Sequence, residues 1–242
     1  MDASIYYLIA GVALLFSLIV RRKLDSTYKQ WGQVRNTAGF TGAQTSKVIL
    51  DANQMGRVTV GPIRGKLSDH YNPKNKSIRL SEPVFGVPSV AAMAVAAHET
   101  GHAIQDKVDY APLEMRTFLA PVAAAGARFG LPAAIFGSFL GLPMLVQIGV
   151  LGYAGALLLQ FLTLPVEFDA SRRALRQLEK LGLVNDEERE GVRAVLRSAA
   201  MTYVAGAASA AGYIVYLVII GGRMMMRKPP LENPPLKPPP AI

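Results

Sequence analysis

The segment Ala94–Asp106, AVAAHETGHAIQD, contains an H-E-x-x-H motif with His98, Glu99 and His102 at its fixed positions. The alanine-rich stretch before the motif is strongly helix-forming, which predicts that the motif lies on a helix. Two histidines four residues apart share one face of a helix, so both imidazoles can reach one Zn²⁺ at about 2.0–2.1 Å. The glutamate between them can take a proton from a metal-bound water. The motif therefore predicts a zinc site with Glu99 as its catalytic base.

The composition narrows the chemistry of this site. The 242 residues include no cysteine, which excludes disulfides and thiolate ligands. A helix with two satisfied core histidines is the alternative, but a buried glutamate beside them is costly without a metal or partners. The net charge of +9 does not indicate nucleic-acid binding, because many basic residues flank apolar runs.

Three apolar runs predict membrane spans. Ser4 to Val20 is uncharged and precedes Arg21-Arg22-Lys23, Phe129 to Val166 has 38 residues without a charge, and Tyr203 to Gly222 adds 20 more. A spanning helix needs about 20 apolar residues, so the central run and the residues before it suffice for two spans. Gly141-Leu142-Pro143 would form the turn between them. We therefore predict a mainly α, α+β membrane protein with about four transmembrane helices and a zincin-like catalytic domain containing a small β-hairpin or sheet.

This pattern divides the chain into six parts. They are an N-terminal transmembrane anchor at 1–23, a catalytic part with the H-E-x-x-H helix at 24–117, a transmembrane helical hairpin at 118–166, a helical part carrying the third ligand at 167–202, a transmembrane helix at 203–222, and a basic, Pro-rich tail at 223–242.

A β-hairpin is predicted just before the motif helix. Residues 69–71 and 77–80 have strand character and flank the turn-rich loop 72–76. An edge strand at this place would pair with an extended substrate. His70 then has four open roles: substrate contact, orientation of a metal ligand, service as third ligand in place of Glu167, or a surface histidine without a role.

A third zinc ligand must lie on the same side of the membrane as His98 and His102. The metzincin pattern places a histidine at position 108, where this chain has Val108. Glu167 stands out among the downstream carboxylates because it directly follows the long uncharged run. A helical hairpin formed by residues 118–166 would cross the membrane twice and return Glu167 to the zinc, and a shallow re-entrant hairpin would return it equally well.

Three arginines near these spans need an explanation. Arg128 falls inside the first arm of the hairpin, where a central arginine costs roughly 2.5–3.5 kcal/mol. It could reach the surface, pair with a carboxylate, or indicate that this arm begins later. Arg172 and Arg173 are predicted to face solvent or lipid headgroups, with orientation of Glu167 or binding of a substrate carboxylate as the alternative.

Six segments of the chain together carry a family resemblance: Leu67–Tyr71, Ile78–Ser81, Ala94–Asp106, Thr163–Leu175, Ser198–Tyr203 and the TGAQ stretch from Thr41. They resemble the YugP-like membrane zinc metallopeptidases, also called neutral zinc metallopeptidases. The resemblance implies a membrane-bound zinc peptidase with His98 and His102 as ligands and Glu99 as base. By analogy with the wider gluzincins, Glu167 would be the third ligand. Gluzincins often carry aspartate four residues after that glutamate, where this chain has Ser171, so Asp169 becomes a substitute candidate.

The predicted function is zinc-dependent endopeptidase activity at a membrane. The expected cofactor is Zn²⁺ and the expected partners are the lipid bilayer and a peptide or protein substrate, membrane-associated substrates included; no nucleic acid is expected and the oligomeric state is left open. A non-catalytic, zinc-stabilised membrane scaffold or chaperone is the main alternative. A transporter or receptor is poorly supported by four spans with so few intramembrane charges.

The distribution of basic residues predicts the orientation. Segments 21–117 and 167–202 hold 21 of the 26 lysines and arginines. The positive-inside rule then favours an integral protein of the plasma (inner) membrane with a cytoplasmic active site. Arg223, Arg227 and Lys228 argue for the opposite orientation.

Overall fold

The fold is mainly helical with one small sheet, as predicted. The computed structural model describes residues 2–226, with most side chains described as far as residue 212. The part of the predicted Pro-rich tail from residue 227 onward lies outside the described residues. The elements are α1 (Asp2–Gly32), α2 (Gly42–Ala52), β1 (Thr59–Ile63), β2 (His70–Asn72), β3 (Ser77–Ser81), α3 (Glu82–Phe85), α4 (Val90–Lys107), α5 (Ala111–Phe139), α6 (Pro143–Lys180) and α7 (Asp186–Met226).

Helix α4 carries the H-E-x-x-H motif and forms the centre of the core. It begins after Ser89, which caps the helix because its hydroxyl accepts a hydrogen bond from the Ala92 N–H. Residues Val90 to Ala94 are fully buried, and the apolar core continues along the helix to Ile104. Because α2, α6 and α7 pack around it, α4 is covered by protein on nearly every side.

The sheet has the strand order β1-β3-β2. Strands β2 and β3 form the predicted antiparallel hairpin, and β1 pairs with β3 in parallel. Asp106 on α4 accepts hydrogen bonds from the Tyr71 hydroxyl and the Lys76 ammonium, both at 2.6 Å. These contacts hold the edge strand β2 against the motif helix.

Helices α5 and α6 form the predicted hairpin, with the turn at Gly141-Leu142-Pro143. Gly141 has φ +66, a left-handed conformation that glycine adopts without steric cost. The arms approach closely because glycines face each other. A Cβ added at Gly126 would collide with the carbonyl of Gly152, and one added at Gly130 would lie 2.7 Å from the carbonyl of Gly149.

Two helices of the described chain are long and apolar enough to cross a membrane, rather than the four predicted. They are Ala111–Gly137 and Pro143–Lys180, the two arms of the hairpin. The other two predicted spans are ends of longer helices: the run at 4–20 continues in α1 to Gly32, and 203–222 continues from the charged start of α7. The second of these runs extends past residue 212, beyond which side chains are not described.

Arg128 lies within α5. Its side chain is exposed, and its guanidinium carbon lies 5.3 Å from the centre of the Phe129 ring. No carboxylate within residues 2–226 forms an ion pair with it. Of the three explanations offered above, the structure therefore disfavours pairing with a carboxylate among the described residues.

Candidate metal centre

Three side chains that could hold a metal ion converge where α4 meets α6. His98, His102 and Glu167 each offer one ligand atom, and these atoms lie within 4.8 Å of one another. The Glu167 Oε2 atom lies 3.2 Å from His98 Nε2 and 3.6 Å from His102 Nε2. The hairpin α5–α6 thus brings back a residue that is 65 positions after the motif, as the uncharged run predicted.

The donor set suits zinc. Two imidazole nitrogens and one carboxylate oxygen are the protein ligands of a common type of catalytic zinc site. A tetrahedral ion with bonds of about 2.0–2.1 Å needs donor atoms about 3.3–3.4 Å apart. The two separations measured from Glu167 Oε2, 3.2 and 3.6 Å, lie on either side of that value. Both contacts of Glu167 therefore have the spacing that a shared tetrahedral ion requires.

Glycine at the fourth position of the motif sets the distance between the helices. A Cβ added at Gly101 would lie 2.5 Å from the carbonyl oxygen of Ala170. Real Cβ atoms do not approach a backbone oxygen so closely, so only glycine permits this separation of α4 and α6. The close approach places Glu167, less than one turn before Ala170, against the two histidines.

Each histidine has a hydrogen-bond partner on the nitrogen that faces away from Glu167. His98 Nδ1 lies 3.1 Å from the Ser171 hydroxyl, and His102 Nδ1 lies 3.0 Å from the Gln105 side-chain oxygen. Such partners fix the ring orientation and leave the Nε2 lone pair for the metal. Ser171 thus occupies the place where the gluzincins carry aspartate, and it makes the contact itself.

Gln105 is held by a chain of polar contacts. Its amide nitrogen donates to the Val166 carbonyl at 2.8 Å and to the Asp169 carboxylate at 2.9 Å. The amide oxygen is therefore the atom facing His102, so His102 donates from Nδ1 to it. Asp169 in turn accepts from Arg173 at 2.5 Å. Asp169 acts on a histidine only through Gln105, and not as the direct partner that the sequence suggested.

Arg116 holds the other oxygen of Glu167. Its guanidinium donates to Glu167 Oε1 at 2.9 Å, while Oε2 faces the histidines. The Glu167 side chain is 2% exposed, so this ion pair compensates its burial. Arg172 is exposed and Arg173 pairs with Asp169, so Arg116 is the arginine that orients Glu167.

Without a metal ion, the electrostatics favour a protonated His102 paired with the Glu167 carboxylate. Burial disfavours the protonated ring of His102, but the hydrogen bond to Glu167 and the negative charge of Glu99 outweigh it. The pKa of His102 is therefore raised above its ordinary value. A metal ion must displace this proton, so binding competes with protonation.

The three candidate ligands line a cleft of about 450 Å³. The cleft is also lined by the hairpin strand and loop at 69–74, by one stripe of α5 and by Tyr203. Glu99 also lines this cleft, and its carboxylate makes no hydrogen bond or ion pair with another side chain of the described residues.

His70 also lines the cleft but does not join the ligand group. Its side chain is exposed, and its Nδ1 lies 2.8 Å from the Ser68 carbonyl oxygen. Within residues 2–226 the ligand group consists of the two motif histidines and Glu167. The geometry therefore disfavours His70 as third ligand and leaves substrate contact open.

Comparison of the sequence with known proteins agrees with a zinc site. The family described as "Putative neutral zinc metallopeptidase" matches residues 6–222, and the chain belongs to this family. The chain is similar to a protein of Bacillus subtilis (strain 168) named "Putative membrane protease YugP", with 39% identity over 195 residues. The similarity covers 81% of this chain and 87% of that relative. No solved structure matches the chain.

Proposed function

We propose that this protein is a membrane-embedded zinc endopeptidase with Glu99 as general base. The observation that carries the proposal is the convergence of His98, His102 and Glu167 within 4.8 Å, beside a free Glu99 in the same cleft. Membership of a zinc metallopeptidase family supports it. The name of the Bacillus subtilis relative supports both the proteolytic activity and the membrane location.

The two histidines and Glu167 would hold the ion. A zinc ion in such a site polarises a carbonyl group and brings the pKa of a water ligand to about 7. Glu99 would then accept a proton and deliver it to the leaving amine. Arg116 keeps one oxygen of Glu167 tethered, which leaves the other oxygen for the ion. Ser171 and Gln105 hold the two imidazoles in orientation.

Replacement of Glu99 by glutamine tests the catalytic assignment. We expect Glu99→Gln to lower cleavage of unstructured casein by at least about 10²–10⁴-fold, the usual contribution of a general base. Bound zinc should stay near the wild-type amount, because Glu99 is not a ligand. Metal analysis and cleavage with and without chelator measure both quantities. Full activity, or loss of zinc, would contradict the assignment.

The same variant separates the peptidase from the alternative scaffold or chaperone. A scaffold that uses zinc only for stability does not need a free base in the cleft, so Glu99→Gln would leave its function unchanged. A zinc-loaded wild-type protein that cleaves no peptide would favour the scaffold.

We propose further that the α5–α6 hairpin crosses the membrane twice and that the active site is cytoplasmic. The length and composition of its two arms support the two spans, and the basic residues of 21–117 and 167–202 support the orientation. The turn at Gly141 then lies on the side of the membrane opposite the active site. A reporter inserted at this turn should therefore be non-cytoplasmic. A cytoplasmic reporter at the turn would exclude this combination of span number and orientation.

A further inference from the structure

The position of the cleft relative to the apolar hairpin bears on the substrate. Glu167 directly follows the 38 uncharged residues Phe129 to Val166, so a metal ligand stands at the end of the apolar part of α6. Its partner Arg116 stands at the same level on α5, 2.9 Å away. On α5 the next charge is Arg128, 12 residues further along. This ion pair marks the level at which both arms change from charged to apolar.

One face of α5 continues the cleft across this level. Leu113 and Arg116 line the cleft on the charged side, and Thr117, Ala120 and Pro121 line it on the apolar side. These positions recur at helical spacing and form one stripe. Ala120 lies four residues beyond Arg116, which is about 6 Å along the helix axis. The cleft therefore extends past the charged level instead of ending at it.

The other end of the cleft is polar. It is formed by the β2 strand and the loop after it, where His70 and Lys74 are exposed. The cleft thus runs from a polar edge strand, past the metal ligands, to the apolar arm of a candidate span. A peptide lying along it would have a polar segment on one side of the ligands and an apolar segment on the other.

We infer that the substrate is a peptide segment that emerges directly from a membrane, with the scissile bond a few residues from its apolar helix. This inference rests on the proposed peptidase function and membrane location. An extended chain covers about 3.3–3.6 Å per residue, so the roughly 6 Å between Arg116 and Ala120 corresponds to about two residues. Cleavage is expected within about five residues of the apolar end.

Disulfide trapping tests the inference without requiring turnover. Because the chain has no cysteine, a single introduced cysteine is unique. Ala120→Cys places it in the cleft, and Val122→Cys is the matched control, at a side chain that is 73% exposed and does not line the cleft. Two helical positions separate the two, so they lie within about 3 Å of each other along the axis but point to nearly opposite sides of α5. Both variants carry Glu99→Gln and are reconstituted in phospholipid vesicles.

The probe is a synthetic peptide with an apolar Leu/Ala helix of about 20 residues, followed by a polar segment whose first residue is a single cysteine. A tether to the membrane raises the effective concentration at both positions alike, so the ratio of trapping is the informative quantity. We expect Ala120→Cys to trap this probe at least about tenfold more than Val122→Cys. Equal trapping would overturn the inference.

Cleavage by the wild-type chain gives the second measurement. Two tethered probes differ only in spacer length, and mass spectrometry maps the cut. A cut that stays near the apolar end in both probes supports the inference; a cut that moves outward with the longer spacer overturns it. No cleavage of any probe, with trapping at Ala120→Cys intact, would overturn the peptidase proposal and leave the binding surface standing.

Discussion

Helix α4 and the α5–α6 hairpin are both rich in apolar residues, yet they lie in opposite surroundings. Met93 on α4 is 0% exposed, whereas Phe118 and Phe139 on α5 are 81% and 88% exposed. Apolar surface gains about 25 cal/mol per Å² when it leaves water, whether the new neighbour is protein or lipid. Composition alone therefore does not tell a core helix from a membrane helix, and the packing partners decide. The metal centre lies where these two kinds of helix meet.

The largest expected effect comes from breaking the junction, by which we mean the contact of Glu167 on α6 with the two histidines of α4. Glu167→Ala removes the ligand that the hairpin returns to α4, so bound zinc should fall from about one per chain to below about a tenth. Glu179→Ala is the matched control, because Glu179 is a more exposed glutamate on the same helix, paired with Arg193 at 3.6 Å. Metal analysis after dialysis measures the change. Zinc retained in the first variant would remove Glu167 from the ligand set.

A pair of substitutions in the apolar parts sharpens the contrast between protein and lipid surroundings. Met93→Ala leaves a cavity in the core and should lower the free energy of unfolding in detergent by about 2–5 kcal/mol. Phe136→Ala, at a side chain that is 63% exposed, should change it by less than about 0.5 kcal/mol. Denaturant titration in micelles compares the two. A cost for Phe136→Ala equal to that for Met93→Ala would show that the hairpin is covered by protein.

The smallest expected effect concerns orientation of a ligand at the α4 side of the junction. Gln105→Leu removes the hydrogen-bond acceptor from His102 Nδ1, so zinc affinity should fall about 10–100-fold. Gln177→Leu is the control, since that glutamine bonds to Asn53 and lies outside the cleft. Competition with a chromogenic chelator gives both affinities. Unchanged affinity in Gln105→Leu would show that the contact is incidental.

Local patterns predicted much of this arrangement. The helix of the motif, the β2–β3 hairpin and the turn at Gly141 follow from periodicity, turn residues and capping, which act within a few residues. Glu167 was found because the long uncharged run imposed a return to the same side of the membrane. Its role as a ligand, like that of His98, His102 and Glu99, stays a prediction.

The features that the sequence did not predict depend on contacts between distant segments. Arg116 and Glu167 are 51 residues apart, and no local signal marks Arg116 as the partner. Gln105 was not among the predicted site residues, although it lies three residues after His102 and so on the same face of α4. The number of spans could not be fixed from apolar runs, because a run does not show where a continuous helix leaves the bilayer.

The glycine of the motif has a consequence for protein engineering. In an exposed helix, alanine is favoured over glycine by about 1 kcal/mol, so a scan guided by helix propensity would choose Gly101 as a site for stabilisation. At this position the new methyl group would meet the Ala170 carbonyl at 2.5 Å. A substitution that strengthens α4 as an isolated helix would therefore push α6 away and widen the gap between the histidines and Glu167. Local stability and ligand geometry make opposite demands on one residue.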